Sequence, residues 1–114
     1  MNIPNFDGIT STNWKQLERQ EVAPGIYERT VWQDNDDQKA VVVDFDAGAC
    51  YPGIHSHVDG PEQIYVISGI FNDGQRDHAA GSFIHHPVGS SHIPQSHQGC
   101  TVLVTFPGQS TSIQ

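Results

Sequence analysis

Closely spaced turn signals are what most limit how this chain can fold. Asp34-Asn35-Asp36-Asp37, Asp59-Gly60-Pro61, Asn72-Asp73-Gly74, Ala80-Gly81 and Pro87-Val88-Gly89 cut the sequence into segments too short for long helices. Between them lie runs rich in β-branched and aromatic residues, at 25–32, 40–45, 53–58, 62–71, 82–86 and 101–106. Strands this short and this close together predict an all-β chain. A closed antiparallel barrel or jelly roll removes most exposed strand edges and leaves a central pocket walled by inward-pointing residues.

At 114 residues the chain suits one core. The reading is an N-terminal arm over 1–24 and a barrel domain over 25–114. Within the arm, Ser11-Thr12-Asn13-Trp14 followed by Lys15-Gln16-Leu17-Glu18-Arg19 reads either as one helical turn or as extended chain. Apolar runs such as Ala40-Val41-Val42-Val43 fall far short of the roughly 20 residues that span a bilayer, so no membrane partner is expected. The first residues lack the basic start and apolar stretch of a secretory signal, which predicts a cytoplasmic protein. In that compartment Cys50 and Cys100 read as small buried thiols rather than a disulfide. Five Lys and Arg against 13 Asp and Glu give a net charge of −8, which argues against a nucleic-acid partner.

All seven histidines fall between positions 55 and 97. On a strand, His55 and His57 would share a face about 6.5–7 Å apart, close enough to converge on one ion. Two solvated or hydrogen-bonded histidines fit the same spacing. Glu62 follows the Asp-Gly-Pro turn, which would start a new strand beside the first and bring the carboxylate near the pair. An exposed strand-end glutamate is the plainer alternative, since glutamate is seldom buried without a partner. His92 follows Pro87 and Gly89, which send the chain back. Three imidazoles and a carboxylate form a nitrogen–oxygen donor set suited to divalent Fe, Zn, Ni, Co or Mn. His85 and His86 are adjacent on a strand, so at most one faces the pocket. His78 and His97 read as solvated turn residues.

These residues resemble the two cupin motifs. His55, His57, Glu62 and Gly69 stand at the spacings of G-x5-HxH-x3,4-E-x6-G, with Gly48 one residue too far upstream. Gly81, Pro87, Gly89 and His92 fit G-x5-P-x-G-x2-H-x3-N, with Ser96 in place of the Asn. The stretch Gly89-Ser90-Ser91-His92-Ile93-Pro94-Gln95-Ser96-His97-Gln98-Gly99-Cys100 is similar to G-S-x-H-x-P-x-S-x-x-G-C of the ChrR-like branch, and residues 62–73 resemble its E-E-x-x-V-L-x-G-x-F-x-D. The resemblance spans about 48 to 106. It implies a single-domain RmlC-like jelly-roll barrel with one divalent metal, Fe2+ or Zn2+ foremost and Ni2+, Co2+ or Mn2+ as alternatives, on His55, His57, Glu62 and His92.

Two functions follow from that resemblance. ChrR-like anti-sigma factors carry such a cupin as a zinc sensor behind a helical zinc domain, yet no histidine or cysteine occurs among the first 49 residues here. The branch also resembles acetylacetone-cleaving dioxygenases, one-domain cupins with ferrous ion on three histidines. That precedent implies a metal-dependent dioxygenase acting on a small chelating, β-dicarbonyl-like substrate. The alternative is a non-catalytic metal-binding sensor or ligand-binding module. A homodimer is expected, because outer strands need covering and residues 25–32 offer an edge.

Overall fold

The computed structural model describes residues 2–34 and 38–108. After a short 3-10 turn at Trp14–Gln16 come eleven strands: β1 Gln20–Ala23, β2 Ile26–Asp34, β3 Gln38–Phe45, β4 Ala49–Cys50, β5 His55–Ser56, β6 Glu62–Asn72, β7 Asp77–Ala79, β8 Phe83–His86, β9 Ser91–His92, β10 Gln95–Ser96 and β11 Cys100–Pro107. No α-helix occurs among the described residues. Nine strands form one antiparallel sheet in the order β1-β2-β3-β11-β6-β10-β4, with β7 and β8 also on β6, while β5 and β9 make a separate ribbon. The all-β expectation holds. The predicted turn at 34–37 falls mostly on residues 35–37, which lie outside the described residues.

Period-two alternation builds the core. On β11, Cys100, Val102 and Val104 are buried while Thr101, Leu103 and Thr105 between them are not. Facing them are Val41, Val43 and Phe45 of β3, Ile64 and Val66 of β6, and Phe71, whose ring meets Phe45 edge-on at 5.8 Å. Each such side chain contributes about 1.5–3 kcal/mol by leaving water. Val42, which alternation sends to the opposite face, is buried as well. On that face its cross-strand partner Arg29 donates to the Leu17 carbonyl at 3.0 Å and to Asp44 at 2.7 Å, and lies over the Trp14 ring. The early segment is therefore both a helical turn and extended chain, docked on the sheet, and β1 pairs with β2 over residues 26–28.

Gly69 pairs with Cys100 of β11, two residues beyond Ile67, where β6 shifts register against β11. Its φ is +76°, and a Cβ there would sit 2.2 Å from the Gly99 carbonyl oxygen. Only glycine combines that backbone with that approach.

One pairing differs from the sequence reading. The strand after Asp59-Gly60-Pro61 does not lie beside β5: β6 pairs with β8, β11, β7 and β10, and β5 pairs with β9. An eleven-residue strand finds long partners in the main sheet, and a two-residue strand cannot compete for those ladders.

Candidate metal centre

The β5–β9 ribbon places His55 directly opposite His92. The backbone then holds His57 by two bonds, from its N–H to the Ser90 carbonyl at 3.0 Å and to its carbonyl from Gly89 N–H at 2.9 Å. Glu62 enters from the first position of β6 and is 3 % exposed. One donor atom from each of His55, His57, Glu62 and His92 falls within 4.8 Å of every other. His57 and His92 are buried and His55 is half-buried. The ligand set that the family resemblance implied is thus brought together from three strands and one loop.

The donor chemistry fits a cation. His57 Nδ1 lies 3.1 Å from the Ser90 carbonyl oxygen, which can only accept, so Nδ1 carries the proton and Nε2 presents a lone pair. That Nε2 faces Glu62 Oε1 at 3.1 Å. Two acceptors at such a distance repel unless a proton or a metal ion sits between them. His92 Nε2 is also 3.1 Å from Glu62 Oε1 and 3.2 Å from His55 Nδ1, and Glu62 Oε2 lies 3.6 Å from His55 Nδ1. In their ligating forms, three imidazoles and one carboxylate would carry a net negative charge that a divalent ion neutralises.

The electrostatics agree. Burial pushes the Glu62 carboxyl up, but the hydrogen bond from His92 and the charges of the three histidines outweigh it and hold the group below the usual carboxylate range. Burial holds His55 below its ordinary value, against the pull of Glu62. An ionised Glu62 and a neutral His55 imidazole are forms in which these side chains ligate a metal.

The ChrR cupin-like domain matches residues 9–109 of the 114. The chain belongs to this family. No curated protein matches it. Solved structures similar to this ChrR-like cupin include an RmlC-like cupin from Shewanella frigidimarina, 22% identical over 90% of this chain and 94% of that one, with a TM-score of 0.72. A chain of the Rhodobacter sphaeroides complex of SigE with the anti-sigma ChrR is 19% identical with a TM-score of 0.69; 82% of this chain matches and spans about half, 51%, of that one. A candidate acetylacetone dioxygenase from Methylibium petroleiphilum reaches a TM-score of 0.78 at 14% identity, over 94% of this chain and 82% of that one. At these identities the likeness establishes the RmlC-like cupin fold.

Other sequence-marked residues of this ChrR-like cupin divide clearly. His85 is exposed, whereas its neighbour His86 is buried with its ring centroid 4.3 Å from that of His92 and 5.0 Å from that of His57. Alternation told that only one of the two would face inward and could not tell which. His97 is exposed as expected, but His78 is half-buried and paired to Asp73 at 2.8 Å. The Asp73 carboxyl is pushed up by burial yet drawn down to about 2 by the His78 bond and the N–H groups of Arg76 and Gln75. Ser96, in the place of the cupin Asn, is 1 % exposed; its hydroxyl donates to the Ile70 carbonyl and accepts from Gly99 N–H at 3.0 Å. Cys100 is buried and its thiol is raised to about 11, chiefly by burial, which makes it inert. Cys50, expected inside, is exposed, because the two-residue β4 lies at the sheet margin. Both cysteines are free.

The central pocket expected of a barrel lies beside the cluster, though alternation could not say which inward residues line it. A space of about 90 Å³ reaches His55, Glu62 and His92 between walls that include Val41, Val43, Phe45, Ile64, Phe71 and Val104. Its other polar lining residues are Glu28 and Tyr51, and no lysine or arginine lines it. Periodicity marked the wall residues as core, since a pocket wall and a packed core have the same alternation.

Proposed function

We propose that this chain is a metal-dependent, dioxygenase-like enzyme acting on a small chelating substrate of the β-dicarbonyl type. The observation that carries the reading is the apolar cavity ending on three of the four candidate ligands. A divalent ion held by the cluster would supply Lewis acidity toward two substrate oxygens. His55, His57 and His92 would hold it as neutral donors, and Glu62 would act as a displaceable ligand or as an orienting group beside it. The valine, isoleucine and phenylalanine walls exclude water and grip an apolar body. With Glu28 in the lining and no lysine or arginine, the cavity disfavours dianionic substrates and suits neutral or singly charged ones.

Oxygen uptake by anaerobically prepared, ferrous-loaded protein tests this against a panel of dicarbonyls and phenolics. Uptake only with chelating substrates is the expected result. A second reading, a non-catalytic sensor, draws support from Glu62 itself, whose burial within reach of all three histidines suits a closed four-donor site. The Glu62→Gln variant separates the two. An enzyme with a displaceable carboxylate keeps much of its metal and changes turnover, whereas a closed sensor site loses affinity and thermal stability.

The same proposal takes the working form to be a homodimer in the cytoplasm that recognises a small molecule rather than nucleic acid. β1 covers β2 only over residues 26–28, leaving the remaining outer edge of β2, with half-exposed Trp32, for a second copy. Light scattering at micromolar concentration is expected to give about 25 kDa, twice the 12.5 kDa of the chain.

A further inference from the structure

His86 fills an unspecified position of the second cupin motif, yet it is the fourth imidazole at this centre. It stands opposite Glu62 across the β6–β8 ladder, so both side chains rise on the same face of the sheet. Its side chain is 8 % exposed, its ring packs against those of both His57 and His92, and its Nδ1 is 3.9 Å from Glu62 Oε1. That Nδ1 is buried and has no hydrogen-bond partner. An unpartnered buried ring nitrogen costs about 1–3 kcal/mol, so its persistence at this position needs a reason.

Resting on the metal-centre reading above, we infer that His86 is the positioning residue of Glu62: with a divalent ion in the cluster, His86 Nδ1–H donates to the Glu62 carboxylate and fixes its orientation. The hydrogen-bond count leads there. His57 commits its Nδ1 proton to Ser90, so its Nε2 has only a lone pair to offer. A metal ion engages that lone pair and the one on His92 Nε2, and neither ring then donates to Glu62. The carboxylate keeps lone pairs that a buried oxygen must satisfy, and His86 Nδ1 is the uncommitted ring donor facing it. Closing 3.9 Å to a bond of about 2.8 Å takes roughly 1 Å of movement, within what a glutamate rotamer supplies. His85, one residue away, is exposed and bonds Gln63 at 3.3 Å, so it offers Glu62 nothing.

Cobalt(II) titration of the full chain, read by its visible absorption bands and by competition with a chelator, tests the assignment. His86→Phe keeps the ring volume and removes the donor; His86→Asn restores an N–H near the Nδ1 position. The expected result is shifted cobalt bands in His86→Phe with an affinity loss no larger than that of Glu62→Gln, and affinity and bands near wild type in His86→Asn. On a Glu62→Gln background, His86→Phe should add little further loss, because the two residues act as one unit. Wild-type affinity and spectrum in His86→Phe would overturn the inference, as would full additivity with Glu62→Gln. Should His86→Phe fail to fold, a His86→Asn variant as weak as Glu62→Gln would overturn it. A wild-type chain that takes up no cobalt overturns the metal-centre reading and this inference together, whereas wild-type uptake with an unchanged His86→Phe overturns this inference alone.

Discussion

His55 and His92 face each other as cross-strand partners in a ribbon of only two pairs, with Nδ1 of one 3.2 Å from Nε2 of the other. That contact joins two motifs 37 residues apart in sequence. It also explains why so short a ribbon persists. Among the described residues no backbone ladder joins it to the main sheet, so the loops around it are held by Gly89 and Ser90 on one side and by the donor cluster on the other.

Metal content should follow the cluster and not the outlying histidines. His57→Ala and His92→Ala are each expected to lose the bound ion, while His78→Ala and His97→Ala keep about one per chain by elemental analysis. Because the ion binds only the folded site, metal at a hundredfold excess over its Kd should stabilise the chain by about 2.7 kcal/mol in denaturant titrations.

Two glycines should respond very differently to alanine. Gly69→Ala meets the Gly99 carbonyl at 2.2 Å as well as an unfavourable φ, and is expected to cost more than about 2 kcal/mol in urea unfolding. Gly81 also has positive φ, +94°, but its missing Cβ would meet nothing within 4 Å. Gly81→Ala should therefore show the backbone cost alone, about 1 kcal/mol.

Ser96→Ala removes the hydroxyl that satisfies Gly99 N–H and donates to Ile70. A loss of about 1–3 kcal/mol is expected from the stranded backbone groups, with metal affinity unchanged, as measured by paired urea unfolding and chelator competition.

In chelator-treated protein, stability should fall with acid over a defined window. Burial and the neighbouring His92 hold the His86 imidazole down to about 4, against an ordinary 6.5. Between those values the unfolded chain binds a proton that the folded one refuses, so this contribution is full above pH 6.5 and is lost as pH falls toward 4. The melting temperature of His86→Phe should be flatter across that window than that of the wild type.

By itself the sequence determined the class of fold and, through its cupin resemblance, named the four candidate donors. Turn residues and alternation are local signals, and the spacing of His55, His57, Glu62 and His92 survives in the structure because short loops leave the chain little freedom there. Tertiary structure alone decided the rest. Period two says that His85 and His86 diverge, but which one goes inside depends on the register of β8 against β6, which pairs His86 with Glu62. The partner of β5 was equally hidden, since pairing across 37 residues is set by which backbone groups remain free once β3, β6 and β11 have zipped together. A central pocket was expected, but its lining was hidden for a related reason: Val41, Val43, Phe45 and Val104 have the same pattern whether they close on one another or stop short around a space. Only the curvature of the assembled sheet sets that gap, and with it the route to the candidate metal ligands.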